Sequence, residues 1–154
     1  MNDEKAQVRA RIADGYIRTT PYNHTLGAEV VTADEGLAVF RLPFREQFIG
    51  DIDAGLWHSS VGTALMDATC GLSVLLALPK IESIATLDLR MDYLRPAVAD
   101  KPLYARAECY HLTRRIAFVR GELYQANRKR LTGHCTAAFM RTSKKTDARR
   151  AQNA

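Results

Sequence analysis

The chain has 154 residues, 47% hydrophobic and 25% charged, with a net charge of +5, the size and balance of one globular domain with room for a core. No uninterrupted apolar run approaches the roughly 20 residues of a membrane span, and the polar start Met1-Asn2-Asp3-Glu4-Lys5 does not read as a signal peptide, so no membrane partner is expected and the cytoplasm is the expected compartment. Nucleic acid is not the expected partner either, because the excess charge sits mainly in residues 143–154, a basic tail expected to be disordered, and in Arg128-Lys129-Arg130, a candidate hairpin tip.

In chain order, Val8, Ile12, Tyr16 and Ile17 fall at helical spacing and predict an amphipathic helix over 4–17, broken by Pro21 and Asn23. Residues 26–32 and 37–42 read as a strand pair around Ala33-Asp34-Glu35-Gly36, with Pro43 ending the second strand. A loop over 44–56 follows. Val61, Ala64, Leu65, Ala68, Leu72, Leu75 and Leu76 then form an apolar stripe on a long helix, with Ser59 or Ser60 as N-cap and Pro79 beyond its end. After it the period changes to two. Leu87, Leu89, Met91 and Tyr93 alternate with Thr86, Asp88, Arg90 and Asp92, which predicts a half-buried strand over 86–94 with the polar set facing outward. Residues 103–112, 116–124 and 131–140 read as three more strands joined by short turns. One face of such a sheet needs cover, and the long helix is the only element apolar enough to supply it. An antiparallel sheet wrapped around a central helix is the expected architecture, with open edges that favour a second copy.

Cys70, Cys109 and Cys135 show no paired spacing and are expected as buried free thiols. His24, His58, His111 and His134 are scattered without metal-ligand spacing, so no metal site is expected. On the long helix, Asp67 lies about 120° from the centre of the stripe. Its neighbours on that side, Ser60, Ala64 and Gly71, are small, which leaves room for something to approach. Periodicity alone leaves two readings open, a functional carboxylate or one that faces solvent or pairs with an arginine. Just before the helix, Gly55-Leu56-Trp57-His58-Ser59-Ser60 places backbone N–H groups where a helix N-terminus can hold an oxyanion.

Together, Phe48-Ile49-Gly50-Asp51, Gly55-Leu56-Trp57-His58-Ser59-Ser60 and Asp67 resemble the signature of the PaaI-type (4-hydroxybenzoyl-CoA thioesterase-like) hotdog thioesterases. That signature is a His-Gly-Gly turn with an Asp or Glu nine residues after the His. The strand Thr86-Leu87-Asp88-Leu89-Arg90-Met91-Asp92-Tyr93-Leu94-Arg95-Pro96 is similar to the family's as well, and the likeness runs over about residues 23–142. The resemblance implies an α+β hotdog fold: an N-terminal helix over 1–20, a hotdog domain over 21–142, and the tail over 143–154. It implies an acyl-CoA thioesterase that hydrolyses the thioester to a free acid and CoA, with no cofactor beyond the CoA of the substrate.

By the same resemblance, Asp67 is the general base or nucleophile and the Ser59 N–H the oxyanion donor, with His58 beside it in the turn. Asp51 (or Asp53) stands near the loop position that helps to place the carbonyl or water. Thr86 orients the attacking water from across a dimer interface, and Tyr93, His111, Thr113, Arg114 and Arg115 cradle the CoA nucleotide. A homodimer is implied, with a dimer of dimers left open. The chain departs from the family at Ser59-Ser60, which stand for Gly-Gly, and at Asp51, which stands where an amide is usual; serine keeps the N–H but adds a Cβ. The alternatives are an acyl-CoA-binding hotdog protein without catalysis and a hotdog dehydratase, whose His and carboxylate would have to meet across a cleft.

Overall fold

The computed structural model describes residues 2–142, so the basic tail lies outside the described residues. Helix α1 spans Asn2–Thr19 and packs Ile12, Ala13, Tyr16 and Ile17 against the core. The break that Pro21 and Asn23 predicted falls at the extended Thr20, after which the chain starts a short second helix, α2 (Pro21–Leu26). Proline at a first helical position is compatible with a start, since its missing N–H has no intrahelical partner there. Gly27, at φ 74°, ends α2 in the left-handed conformation.

Strands β1 (Glu29–Asp34) and β2 (Leu37–Leu42) form the expected hairpin. The segment predicted as loop holds a 3-10 turn (Glu46–Phe48) and a small ribbon of β3 (Ile49–Asp51) and β4 (Leu56–Trp57). Helix α3 spans Ser59–Ala77, followed by β5 (Ser83–Tyr93), β6 (Leu103–Leu112), β7 (Ile116–Tyr124) and β8 (Gly133–Thr142). Six strands make one sheet in the order β1-β2-β6-β7-β8-β5, every neighbouring pair antiparallel.

The sheet wraps α3. Phe40, Leu42, Ala105, Ala107, Val119, Leu123 and Phe139 line its inner face, against Leu65, Met66, Leu72 and Val74 of the helix. Each of the larger of these side chains contributes about 1.5–3 kcal/mol by leaving water. By length and composition α3 could cross a membrane, but most of it is buried inside the sheet, as a core helix is. Cys70 and Cys135 are buried and Cys109 half-buried, all three as free thiols. The Sγ atoms of Cys70 and Cys135 lie 3.7 Å apart, and this contact, with burial, holds the Cys70 thiol well above its ordinary range.

Three strands of the six-stranded sheet carry a bulge. The pairing slips between Val30 and Thr32, between Thr86 and Asp88, and between Cys109 and His111. The skipped residues, Val31, Leu87 and Tyr110, are apolar yet 55%, 52% and 53% exposed, because a bulge residue is turned out of the pleat. The bulge in β5 overturns part of the predicted alternation. Leu89, Met91 and Tyr93 stay on the helix side, but Leu87 is thrown out and Thr86 faces the helix with Ile84. One edge of the sheet is β5. The other is β1, against which α1 lies, with Arg9 paired to Asp34 at 2.6 Å and to Glu35 at 2.9 Å.

Candidate active site

Asp67 is half-buried on the third turn of α3, and the Thr86 hydroxyl donates to its Oδ1 at 3.0 Å. The residue expected from across a dimer interface therefore comes from the same chain, which corrects that expectation. The bulge at Leu87 makes the contact possible, since strict alternation would have pointed Thr86 away from the helix. The room that small residues leave along this face of α3 is filled at Gly71 by the chain's own Tyr16. A Cβ at Gly71 would collide with the Tyr16 hydroxyl.

Burial pushes the Tyr16 hydroxyl up to about 12, against a hydrogen bond to the Asn23 side chain that lowers it; the nearby Asp67 and Cys70 add to the rise. Tyr16 thus stays a neutral phenol beside the carboxylate at any physiological pH. Asn23 is itself only 4% exposed. Neither residue stood out in the sequence, because α1 and α2 had no evident link to the helix that carries Asp67.

The turn before α3 is held from two sides. The His58 N–H donates to the Phe48 carbonyl at 2.7 Å, and Gly50 lets β3 lie flat on it, where a Cβ would come within 2.7 Å of His58 Cα. On the other side, the Trp57 N–H donates to the Ala97 carbonyl and its indole N–H to the Val98 carbonyl, both at 2.9 Å. Trp57 also stacks on Phe48. The N-cap is His58, not Ser59 or Ser60: its Nδ1 accepts from the Ser60 N–H at 3.2 Å and lies 2.6 Å from Ser60 Oγ. The Val61 N–H is taken by the His58 carbonyl. Among the described residues no turn or cap partner takes the N–H of Ser59, the first residue of the helix. His58 therefore shapes the turn rather than standing as a base. Asp51 caps its own loop, accepting from the Ala54 N–H at 2.9 Å, while Asp53 is exposed.

Beneath this turn lies a cavity of about 440 Å³ that reaches Asp51, His58 and Ser59 at one end and Leu103, Leu123 and Thr132 within. Tyr93 forms one wall, its hydroxyl bonded to the Ser59 carbonyl and 2.7 Å from Thr63 Oγ1.

The residues expected to form one CoA cradle are not together within the chain. Tyr93 pairs with Gly133 at one end of β8, whereas the Arg115 carbonyl accepts from the Arg141 N–H at the other. Eight residues of strand separate them, about 26 Å. His111 stacks on Phe118 on the outer face, and Thr113 uses its hydroxyl within its own hairpin, accepting from Ile116 N–H at 2.9 Å. Arg114 and Arg115 are exposed on the tip and make no ion pair with a described residue.

A six-stranded antiparallel sheet closed around one long helix, with a carboxylate midway along that helix and a bare N–H at its start, is the arrangement of the hotdog thioesterases. The chain belongs to the thioesterase superfamily, whose family model matches residues 54–132, and it is of the PaaI type. A solved protein from Pseudomonas aeruginosa is 39% identical over 86% of this chain and 98% of its own, with a TM-score of 0.78. The phenylacetic acid degradation protein PaaI from Thermus thermophilus, solved as a point variant, is 30% identical over 79% of this chain and 99% of its own, with a TM-score of 0.69. A protein of Halobacterium salinarum named as an esterase is 36% identical over 83 residues, 49% of this chain and 52% of that one. The chain thus spans about half the length of that curated relative.

Proposed function

We propose that the protein is an acyl-CoA thioesterase and that each of its sites is completed by a second copy of the chain. The observation that carries this is the separation of the two parts. Asp67 with its Thr86 hydroxyl lies eight residues along α3 from the Ser59 N–H, about 12 Å at 1.5 Å per residue. One thioester carbonyl cannot reach both in one chain. Two copies with antiparallel α3 helices would set Asp67 and Thr86 of one against the turn of the other, and the open β5 edge offers eleven residues of strand for the pairing.

In that arrangement the thioester oxygen sits on the Ser59 N–H, reinforced by the partial positive charge of the helix start. The Asp67 carboxylate takes a proton from water, whose oxygen attacks the carbonyl carbon. Thr86, donating to Oδ1, fixes the carboxylate's orientation. When the tetrahedral intermediate collapses, the C–S bond breaks and the CoA thiolate takes up the proton, leaving acid and CoA. The exposed guanidinium groups of Arg114 and Arg115 suit the nucleotide phosphates. Water is the only co-substrate this chemistry uses.

Release of free thiol from a panel of acyl-CoA esters tests the proposal. Turnover that disappears in Asp67→Ala supports it; tight binding without turnover would make the chain an acyl-CoA-binding protein instead. Sedimentation of a monomer at assay concentrations, with full activity, would overturn the shared site.

A further inference from the structure

Building on the thioesterase reading above, we propose that Gln125 is a positioning residue for the oxyanion donor: its carboxamide orients the Ser59 N–H by tying the loop behind the turn to the main sheet. That loop is residues 94–102, between β5 and β6, and its middle runs beside β4. The Trp57 N–H donates to the Ala97 carbonyl at 2.9 Å and the Ala99 N–H to the Gly55 carbonyl at 2.7 Å, so Val98 bridges to Leu56 as a third strand of the small ribbon would. Packing does little to fix this stretch, since Val98 is 38% exposed. Its place is set by backbone hydrogen bonds.

On the side away from β4, Val98 is met by a side chain. Gln125 Oε1 accepts from the Val98 N–H at 2.9 Å, and Nε2 donates to the Val98 carbonyl at 2.8 Å and to the Lys101 carbonyl at 3.3 Å. A carboxamide carries the donor and acceptor of a peptide group, so Gln125 completes Val98 as a neighbouring strand would. It also joins the two ends of the turn over 98–101, in which Asp100 has a φ of 62°. Gln125 directly follows β7, whose last residue, Tyr124, pairs with Tyr104 of β6 and stacks on its ring at 5.4 Å. It is therefore rooted in the six-stranded sheet, to which the ribbon does not belong. The two meet at one atom: the Val98 carbonyl takes the Gln125 amide and also the Trp57 indole N–H, at 2.9 Å. Trp57 stands two residues before Ser59, and the Tyr93 hydroxyl holds the turn beyond it through the Ser59 carbonyl. An oxyanion donor has to be placed to within about 0.5 Å, so a brace outside the site can govern the rate.

Gln125→Met keeps the side chain's length and removes all three bonds. It is expected to lower kcat about ten- to a hundredfold, with KM within about twofold of wild type, because the donor acts on the oxyanion more than on the bound ester. Trp57→Phe cuts the same carbonyl from its other side. The double variant is expected to lose no more than the worse single one, whereas independent effects would multiply. Trp57 is the chain's only tryptophan, so a nitrogen-15 spectrum carries one indole N–H signal. In Gln125→Met that signal and the Ser59 amide are both expected to shift. Asn127→Ala, in the same hairpin but with its Oδ1 on the Lys129 N–H at 2.8 Å, is expected to leave kcat and both signals unchanged. Should Gln125→Met fail to fold, Gln125→Glu takes its place, keeping the acceptor for the Val98 N–H and setting a carboxylate against the Val98 carbonyl. Shifts of both signals in a protein that turns over no ester keep the brace and discard hydrolysis. An unmoved Ser59 amide in the Gln125 variant, an unchanged kcat in an active enzyme, multiplying losses in the double variant, or an equal loss in Asn127→Ala would overturn the brace.

Discussion

At the start of α3 the site is made of backbone; midway along the same helix it is made of side chains. The turn offers the Ser59 N–H and is braced by the Phe48 carbonyl on one side and the Ala97 carbonyl on the other. Its geometry depends on a missing Cβ at Gly50 and on a His58 ring that serves as a cap. The middle of the helix offers a carboxylate whose orientation depends on a single hydroxyl from a bulged strand. A backbone site tolerates side-chain exchange, which is why serine can stand at positions 59 and 60; a side-chain site does not. The two halves should therefore fail differently.

The largest expected loss is at Asp67. Its replacement by Ala should lower kcat by about 10²–10⁴, whereas Ser59→Ala, which keeps the N–H, should leave kcat within a few-fold. A mixture of Asp67→Ala chains with Gly50→Leu chains offers a direct test of the shared site. Hybrid dimers should regain activity that neither parent has, because one of their two sites is then intact; no recovery on mixing, with hybrids shown to form, would place both halves in one chain.

Next in size is Thr86→Val. Removing a hydrogen bond to a charged group costs about 1.5–3 kcal/mol, or about ten- to a hundredfold in kcat/KM. Deleting Leu87 should have the same effect on activity without touching Thr86, since loss of the bulge turns residue 86 to the outer face. Stability should respond at the glycines. Gly62→Ala brings a Cβ to 2.8 Å from Leu123 Cδ2, and Gly71→Ala drives one into Tyr16. Each should cost about 1–3 kcal/mol in denaturant unfolding, with Tyr16→Phe giving back much of the loss in the Gly71 variant, because the collision is with the hydroxyl and the ring carbon behind it stands at 3.4 Å.

The smallest effect concerns the far end of β5. Arg141 bonds Glu82 through two nitrogens, at 2.8 and 3.2 Å, and holds its carboxyl below the usual range. A carboxyl lowered on folding stabilises the fold above its unfolded pKa, about 4.3, and that contribution is lost as pH falls through the lower folded value. Arg141→Met should flatten the acid limb of a stability–pH curve by less than about 1 kcal/mol, since the pair is partly in water.

Much of the molecule was legible in its residues. The six long strands and the central helix follow from periods of two and 3.6, and the spacing from His58 to Asp67 marks both ends of the candidate site. Thr86 was legible by its resemblance but not by its pattern. A bulge is one residue of excess in a pairing between β5 and β8, and nothing local to residues 83–93 announces which partner position will be skipped. The role of His58 as cap was hidden for a similar reason, since two serines beside it fit the same task. Tyr16 and Asn23 depend on where α1 and α2 dock, a contact between residues some fifty positions apart that no local period encodes.

The two edges of the sheet are unequal, and this sets how far the chain can assemble. A sheet with two open edges is a monomer for an endless ribbon, each copy adding to the last. Here β1 is twisted by its bulge at Val31 and lies under α1, pinned at its end by Arg9. Among the described residues only β5 remains uncovered, and in the proposed pairing a molecule with one adhesive side closes on a single neighbour. In that proposed pairing the first helix acts as a chain terminator, one that turns a potential fibre into a pair.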